Sequence, residues 1–324
     1  MPPADATATA PAPDGVLVRF GEIGIKSAPV RRAMAERLRR NLLAQMQRGA
    51  VEGDVVRLGS RLWAVGPDAN ALVDVACRTF GVVSASPARR VPATLEAILP
   101  AAVGEALGKP WRTFAVRARR EGTHPFSSQD IQVQAGSAIW KAAEAAGRPV
   151  KVDLTRPDLE VDVDVRQDQA FVFSATREGP GGIPMGSQGR VAVLLSDANS
   201  ALAAWLMARR GCDVLLLHAG TALSVPSDPL AALARWGLPP TADLLPPPES
   251  KEALLLLATE AATRRHAEAV VTGETLSSRL VGAPIPILRP VCGLDAAEAS
   301  RWMERAGLDA GRSTTARGAP AVAA

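Results

Sequence analysis

Cysteine is scarce in this chain of 324 residues: there are three, Cys77, Cys212 and Cys292, far apart and with no paired spacing. Their placement argues against a disulfide framework or a zinc site and suits a reducing compartment. Each is expected to be a small core residue. Long apolar runs are also missing. No stretch approaches the 18 apolar residues of a membrane span, and the opening MPPADATATAPAPD has neither a basic segment nor an apolar one behind it. These absences predict a cytoplasmic protein with no membrane partner. No cluster of His, Cys, Asp and Glu with metal-ligand spacing stands out, so no metal site is assigned.

Charge is present in ordinary amount but is unevenly placed. The formal net charge is +4; residues 1–189 carry 24 basic and 20 acidic side chains, and residues 190–324 carry 13 of each. The whole excess therefore lies in the first part, which is where an anionic partner is to be sought.

Periodicity divides the chain. GVLVRFGEIGIKSAPVRRAMAERLRRNLLAQM begins with a strand over 16–20 and continues as a helix from about Pro29 to Met46. Val30, Met34, Leu38, Leu42 and Met46 form its predicted core face, and Arg31, Arg32, Arg37, Arg39 and Arg40 its basic one. A hairpin with Gly59 and Ser60 at its turn, a helix and a further strand complete a ferredoxin-like order. A second unit opens near Thr94 with a helix. Its strand TFAVRARRE is predicted to place Arg117 and Arg119 on one exposed face, and a helix over SQDIQVQAGSAIWKAAEAAG and three strands follow. In LEVDVDV, Glu160, Asp162 and Asp164 alternate with apolar residues, which predicts a half-buried strand rather than a carboxylate site.

GPGGIPMGSQG is too rich in Gly and Pro for regular structure. Beyond it, RVAVLLS, CDVLLLHAG, TADLLPPP and AEAVVTGE are four apolar runs separated by helical stretches, the pattern of a parallel sheet. Ligands of such sheets sit at the carboxyl ends of the strands, here Ser196, His218 and the stretch from Thr272 to Glu274.

These segments together resemble the tRNA 4-thiouridine synthetases, or tRNA sulfurtransferases. FGEIGIKS with its basic helix, FAVRARREGTHPFSSQDIQVQAGSAI, VKVDLTRPDLEVDVDV, EGPGGIPMGSQGRVAVLLS, VVTGETL and LRPVCGLD carry the likeness. The resemblance implies a mixed α/β and α+β chain: an N-terminal ferredoxin-like domain (15–88), a THUMP domain (89–178), a junction (179–189) and a doubly wound, parallel-sheet PP-loop-like domain (190–310). Residues 1–14 and 311–324 are expected to be disordered tails. It also implies tRNA as a partner, to which Lys26, Arg117, Arg119 and Arg120 would supply charge and His124, Ser127 and Ser128 hydrogen-bond donors.

The sequence departs from that family where its chemistry should be. The family's phosphate loop is SGGxDS, in which glycines let backbone N–H groups close around a phosphate at a helix N-terminus. Here the corresponding residues are Ser196, Asp197, Ala198, Asn199 and Ser200, one residue fewer, with both glycines gone and a carboxylate added. Side chains at the glycine positions block close backbone approach, and Asp197 repels a polyphosphate. The expectation is a loop that caps its helix through Asp197 or Asn199. The helix SKEALLLLATEAATRRHAEA lacks the family's sulfur-carrying cysteine and no rhodanese domain follows, so His218, Thr272, Gly273, Glu274 and Cys292 are at most a remnant site. The reading is a tRNA-binding, noncatalytic or accessory protein with no cofactor, serving a partner thiolation enzyme or sulfur donor, with a homodimer as one option for its assembly. The alternative is an active sulfurtransferase that adenylates a tRNA uridine with ATP and Mg and accepts persulfide sulfur.

Overall fold

A computed structural model describes residues 12–275 and 284–308. The expected tail at 311–324 and most of that at 1–14 lie outside them. The chain divides into two compact units, Met1–Pro184 and Met185–Ala324.

The first unit begins with β1 (Gly15–Phe20), α1 (Ala28–Arg48), β2 (Asp54–Leu58), β3 (Arg61–Val65), α2 (Ala69–Ala76) and β4 (Val82–Pro92). Pro29 lies in the first turn of α1, where its missing N–H costs nothing. Ala35, Leu38, Leu42 and Met46 are the buried residues of that helix, and they cover Val16, Val18 and Leu62 on one face of the sheet. Val30 is a correction to the predicted stripe: it is 43% exposed, one turn before the helix meets the core. Asp14 is tied down, its N–H donating to the Ala88 carbonyl and its carboxylate accepting from the Arg90 N–H.

The unit continues with α3 (Leu95–Leu107), β5 (Thr113–Glu121), α4 (Ser128–Ala145), β6 (Lys151–Val152), β7 (Leu159–Arg166), β8 (Gln169–Phe173) and β9 (Arg177–Glu178). The strand order is β2-β3-β1-β4-β8-β7-β5-β6, with β9 also pairing with β4. Strand β4 joins the two parts without a break: residues 82–88 pair with β1 and residues 89–92 with β8. Helices α3 and α4 cover Phe114, Val116, Val161, Val163 and Val172. A separate small core joins residues of both parts, with Leu17, Trp63 and Ala88 meeting Phe171 and Phe173. The Trp63 and Phe171 ring centroids are 5.0 Å apart.

The second unit contains β10 (Arg190–Leu194), α5 (Ala198–Arg209), β11 (Asp213–Ala219), α6 (Ser227–Arg235), β12 (Asp243–Leu245), α7 (Lys251–Arg264), β13 (Ala269–Val271), β14 (Ile287–Leu288) and α8 (Ala296–Ala306). All four strand pairings are parallel, in the order β12-β11-β10-β13-β14. The four apolar runs of the sequence are the first four strands; β14, two residues long, was not expected. Counted within the unit the order is 3-2-1-4-5, so the chain reverses direction of travel across the sheet between β10 and β13. A doubly wound sheet opens its ligand crevice at that point, beyond the carboxyl ends of the two strands.

Candidate functional site

The crevice between the ends of β10 and β13 is a cleft of about 540 Å³. Its lining includes Ser196, Asp197 and Asn199 after β10, His218 at the end of β11, and Thr272, Gly273 and Glu274 after β13. These residues, distant in sequence, are brought together. Cys292 is not among the lining residues.

The loop after β10 is closed upon itself. Asp197 is the N-cap of α5, its Oδ1 accepting from the Ser200 N–H at 2.8 Å. Ser200 is 1% exposed, and its Oγ accepts from the Ser196 and Asp197 N–H groups, both at 2.9 Å, while donating to the Asp197 carbonyl at 2.8 Å. In a phosphate loop such amides face the ligand. Here a hydroxyl of the same turn takes them. Gly273 then lies against the turn so closely that a Cβ built on it would overlap the Ser200 nitrogen and the Asn199 carbonyl carbon. Gly273 thus packs directly against the first turn of α5, and the Ser196 and Asp197 amides are satisfied within the loop.

The other lining groups are also committed. His218 is 7% exposed, with Nδ1 2.8 Å from the Leu195 carbonyl and Nε2 2.9 Å from Ser224 Oγ. Because a carbonyl only accepts, Nδ1 carries a proton. Glu274 is ion-paired with Lys251 at 2.5 Å. Lys251, Pro248, Leu254 and Leu255 line the cleft and were missed in the sequence reading. Their only signal is the Ser-Lys-Glu start of an apolar helix, whose Ser250 caps α7 through the Ala253 N–H. Cys77 and Cys212 are each 8% exposed, and burial pushes both thiols up, away from the reactive thiolate. Cys292 is partly exposed, so the expectation that all three are core residues holds for two.

The predicted basic set lies in the first unit. Arg117 and Arg119 share one face of β5, in register with Asp162 and Asp164 of β7. Arg119 is exposed, whereas Arg117 is held by Glu160 at 2.9 Å and the Leu154 carbonyl at 2.7 Å. Arg120 donates to the Gly122 carbonyl and lies 3.5 Å from His124 Nδ1, with His124 Nε2 on the Gln167 carbonyl. Ser127 is a correction: its hydroxyl, offered as a donor to a ligand, is part of the α4 capping box, donating to Asp130 Oδ2 and accepting from the Asp130 N–H. Ser128 is the first residue of α4, and Lys26 is exposed on the loop before α1.

Beside them is a cluster the strand pattern concealed. Asp164, expected on the outward face of a half-buried strand, is instead 3% exposed, paired with Arg166 at 2.6 Å and with Arg61 at 3.5 Å. Arg19 reaches Ser86 at 3.0 Å and stacks 4.5 Å above Phe173. Burial lowers Arg19 and Arg166 to about 10, so both stay charged at neutral pH. Asp162 is pushed up to about 6, first by burial and then by Glu160, against the pull of Arg19, Arg119 and Arg117. Among the described residues no three His, Cys, Asp or Glu side chains gather to hold a metal ion, and no helix is long and apolar enough to cross a membrane.

Two parts of one sheet with their helices are followed in the chain by a doubly wound unit, and comparison with known proteins identifies the class to which this order belongs. The ThiI ferredoxin-like domain model matches residues 15–86 and the THUMP domain model residues 94–175. A probable tRNA sulfurtransferase of Methanobrevibacter smithii is 33% identical over 341 aligned positions, covering 91% of this chain and 86% of that protein. One of Halobacterium salinarum is 43% identical over 210 residues, 64% of this chain and 53% of its own length. The chain thus spans about half the length of the first curated relatives it matches. Among solved structures, PH1313 of Pyrococcus horikoshii superposes with a TM-score of 0.77 at 27% identity over 90% of this chain and 99% of that one. A 4-thiouridine synthetase, solved as an RNA complex with bound ATP, gives 0.70 at 22% identity over 91% and 85%, a likeness of fold. The chain belongs to the tRNA sulfurtransferase family.

Proposed function

We propose that this chain is a tRNA-binding member of its family without adenylating activity of its own, acting in the cytoplasm beside a separate thiolation enzyme or sulfur donor. Residues 15–88 and 89–178 hold the RNA, and residues 190–310 keep the strand-and-helix frame of a PP-loop domain. The observation that carries this reading is the closure of the loop by Ser200 Oγ, which takes the Ser196 and Asp197 amides. Asp197 adds a carboxylate where a polyphosphate would lie. The RNA half of the reading is supported by the THUMP and ferredoxin-like matches and by the exposed Arg119, Arg120 and Lys26.

Calorimetric titration of the full chain with Mg-ATP and, separately, with tRNA tests it. The expected result is saturable heat with tRNA and none with ATP. Family membership favours the other reading, an active sulfurtransferase; saturable ATP binding together with tRNA-dependent pyrophosphate release establishes that reading instead.

A further inference from the structure

On β7, Leu159, Val161 and Val163 pack beneath α3 and α4, so Glu160 and Asp162 project from the opposite face of the sheet. Strand register sets Asp162 between Arg117 of β5 and Phe173 of β8, and the Arg19 guanidinium of β1 lies over the Phe173 ring. Arg119 lies on the same face of β5, in register with Asp164. None of these arginines pairs with Asp162. Arg117 is engaged by Glu160 and the Leu154 carbonyl, and Arg19 by the Ser84 and Ser86 hydroxyls. Asp162 has no hydrogen bond or ion pair among the described residues. Its neighbour on the same face, Asp164, shows the contrast, being enclosed by Arg61 and Arg166. A carboxylate partly removed from water without a partner is a cost to the fold, and with its pKa raised to about 6 it is ionised at pH 8. On a face that meets RNA, such a charge repels phosphates and accepts hydrogen bonds from base amines and ribose hydroxyls.

We propose that Asp162 is a specificity-determining residue of the RNA face: it keeps phosphates out of the space between Arg19 and Arg117, so that only an RNA presenting a base or ribose donor there is held without penalty. RNA whose affinity comes from its phosphates alone is disfavoured. The proposal rests on the tRNA-binding reading above. It adds a source of selectivity that the arginines cannot supply, because contacts to phosphate carry no sequence information.

The experiment is the affinity of the full chain for tRNA and for oligouridylate at pH 8 across a salt series. It compares the parent with Asp162→Asn and with Glu96→Gln, an exposed acid of α3 that controls for the loss of a negative charge elsewhere. Asn keeps the size and an acceptor oxygen but not the charge. Asp162→Asn is expected to bind oligouridylate at least about fivefold more tightly, with a salt slope steeper by up to about 1, while its affinity for tRNA changes by less than about twofold. Glu96→Gln is expected to move either RNA by less than about twofold. Oligouridylate binding unchanged by Asp162→Asn, equal tightening of both RNAs, or the same gain in Glu96→Gln overturns the proposal, and tRNA binding by the parent then leaves the RNA reading standing. A parent protein that binds no tRNA overturns that reading and the proposal with it.

Discussion

Ser200 Oγ accepts two hydrogen bonds and donates one, which uses the full capacity of a hydroxyl in a turn of five residues. Ser200→Ala leaves the Ser196 and Asp197 amides without that acceptor and is expected to cost about 1–3 kcal/mol in urea unfolding. A neutral result would mean that water replaces the hydroxyl. Gly273→Ala is expected to cost a similar ~1–3 kcal/mol, because the new methyl meets backbone rather than a movable side chain; thermal melts measure it. Asp162 gives a pH-dependent prediction. Its folded pKa lies above its unfolded value, so the folded state holds the proton more tightly and the ionised carboxylate is a liability. The liability is complete above about pH 6 and disappears as pH falls through 6 toward the unfolded value near 4. Asp162→Asn should therefore stabilise the protein at pH 8 by roughly 1 kcal/mol, a figure reduced for partial solvent exposure, and have little effect at pH 4. Equal shifts at both pH values would refute this.

At the scale of elements, α5 shows how a local cap decides what a strand-turn-helix unit can do. The strand and the helix were legible in VAVLLSDANSALAAWLMARRGC from an apolar run followed by helical spacing. Asp197 as N-cap was legible as one of two candidates, since Asp and Asn both cap well. The part played by Ser200 was not, because a serine three residues after a cap does not reveal in sequence which amides its hydroxyl will reach. Asp197→Ala is expected to cost about 1 kcal/mol and Asp197→Asn only a few tenths, since Asn keeps the capping oxygen. A large loss with Asn as well would assign the carboxylate a role beyond capping. Alternation in LEVDVDV located β7, but it could not show that Asp164 meets Arg61 from a strand about a hundred residues earlier. Opposing arginines convert an outward position into a buried ion pair only once the two parts of the sheet have been brought together.

For the whole molecule, the uneven charge and the fold point to the same region. If the first unit holds tRNA through phosphates, log affinity falls linearly with log salt. Arg117→Ala with Arg119→Ala then weakens binding and lowers the slope by up to about 2, with Arg119 the larger contributor because Arg117 is already engaged by Glu160. Filter binding across a salt series checks this, and an unchanged slope removes these arginines from the contact surface. Phe171, fully buried against Trp63, joins the two parts of the first unit. Phe171→Ala should cost about 3–5 kcal/mol, and circular dichroism should show both parts melting in one transition.

The sequence alone determined the main strands and helices, the parallel character of the last sheet and the family, because hydrophobic period and turn residues are local signals written in consecutive positions. It also showed that the turn SDANS after the first strand of that sheet holds no glycine. Only the tertiary structure decided how that turn is closed. That Ser200 closes the turn, that Gly273 packs beside it and that Asp164 is enclosed by arginines all depend on groups 3 to about 100 residues apart meeting in space. Such meetings follow from the register of strands and the packing of whole elements, which local sequence patterns do not encode.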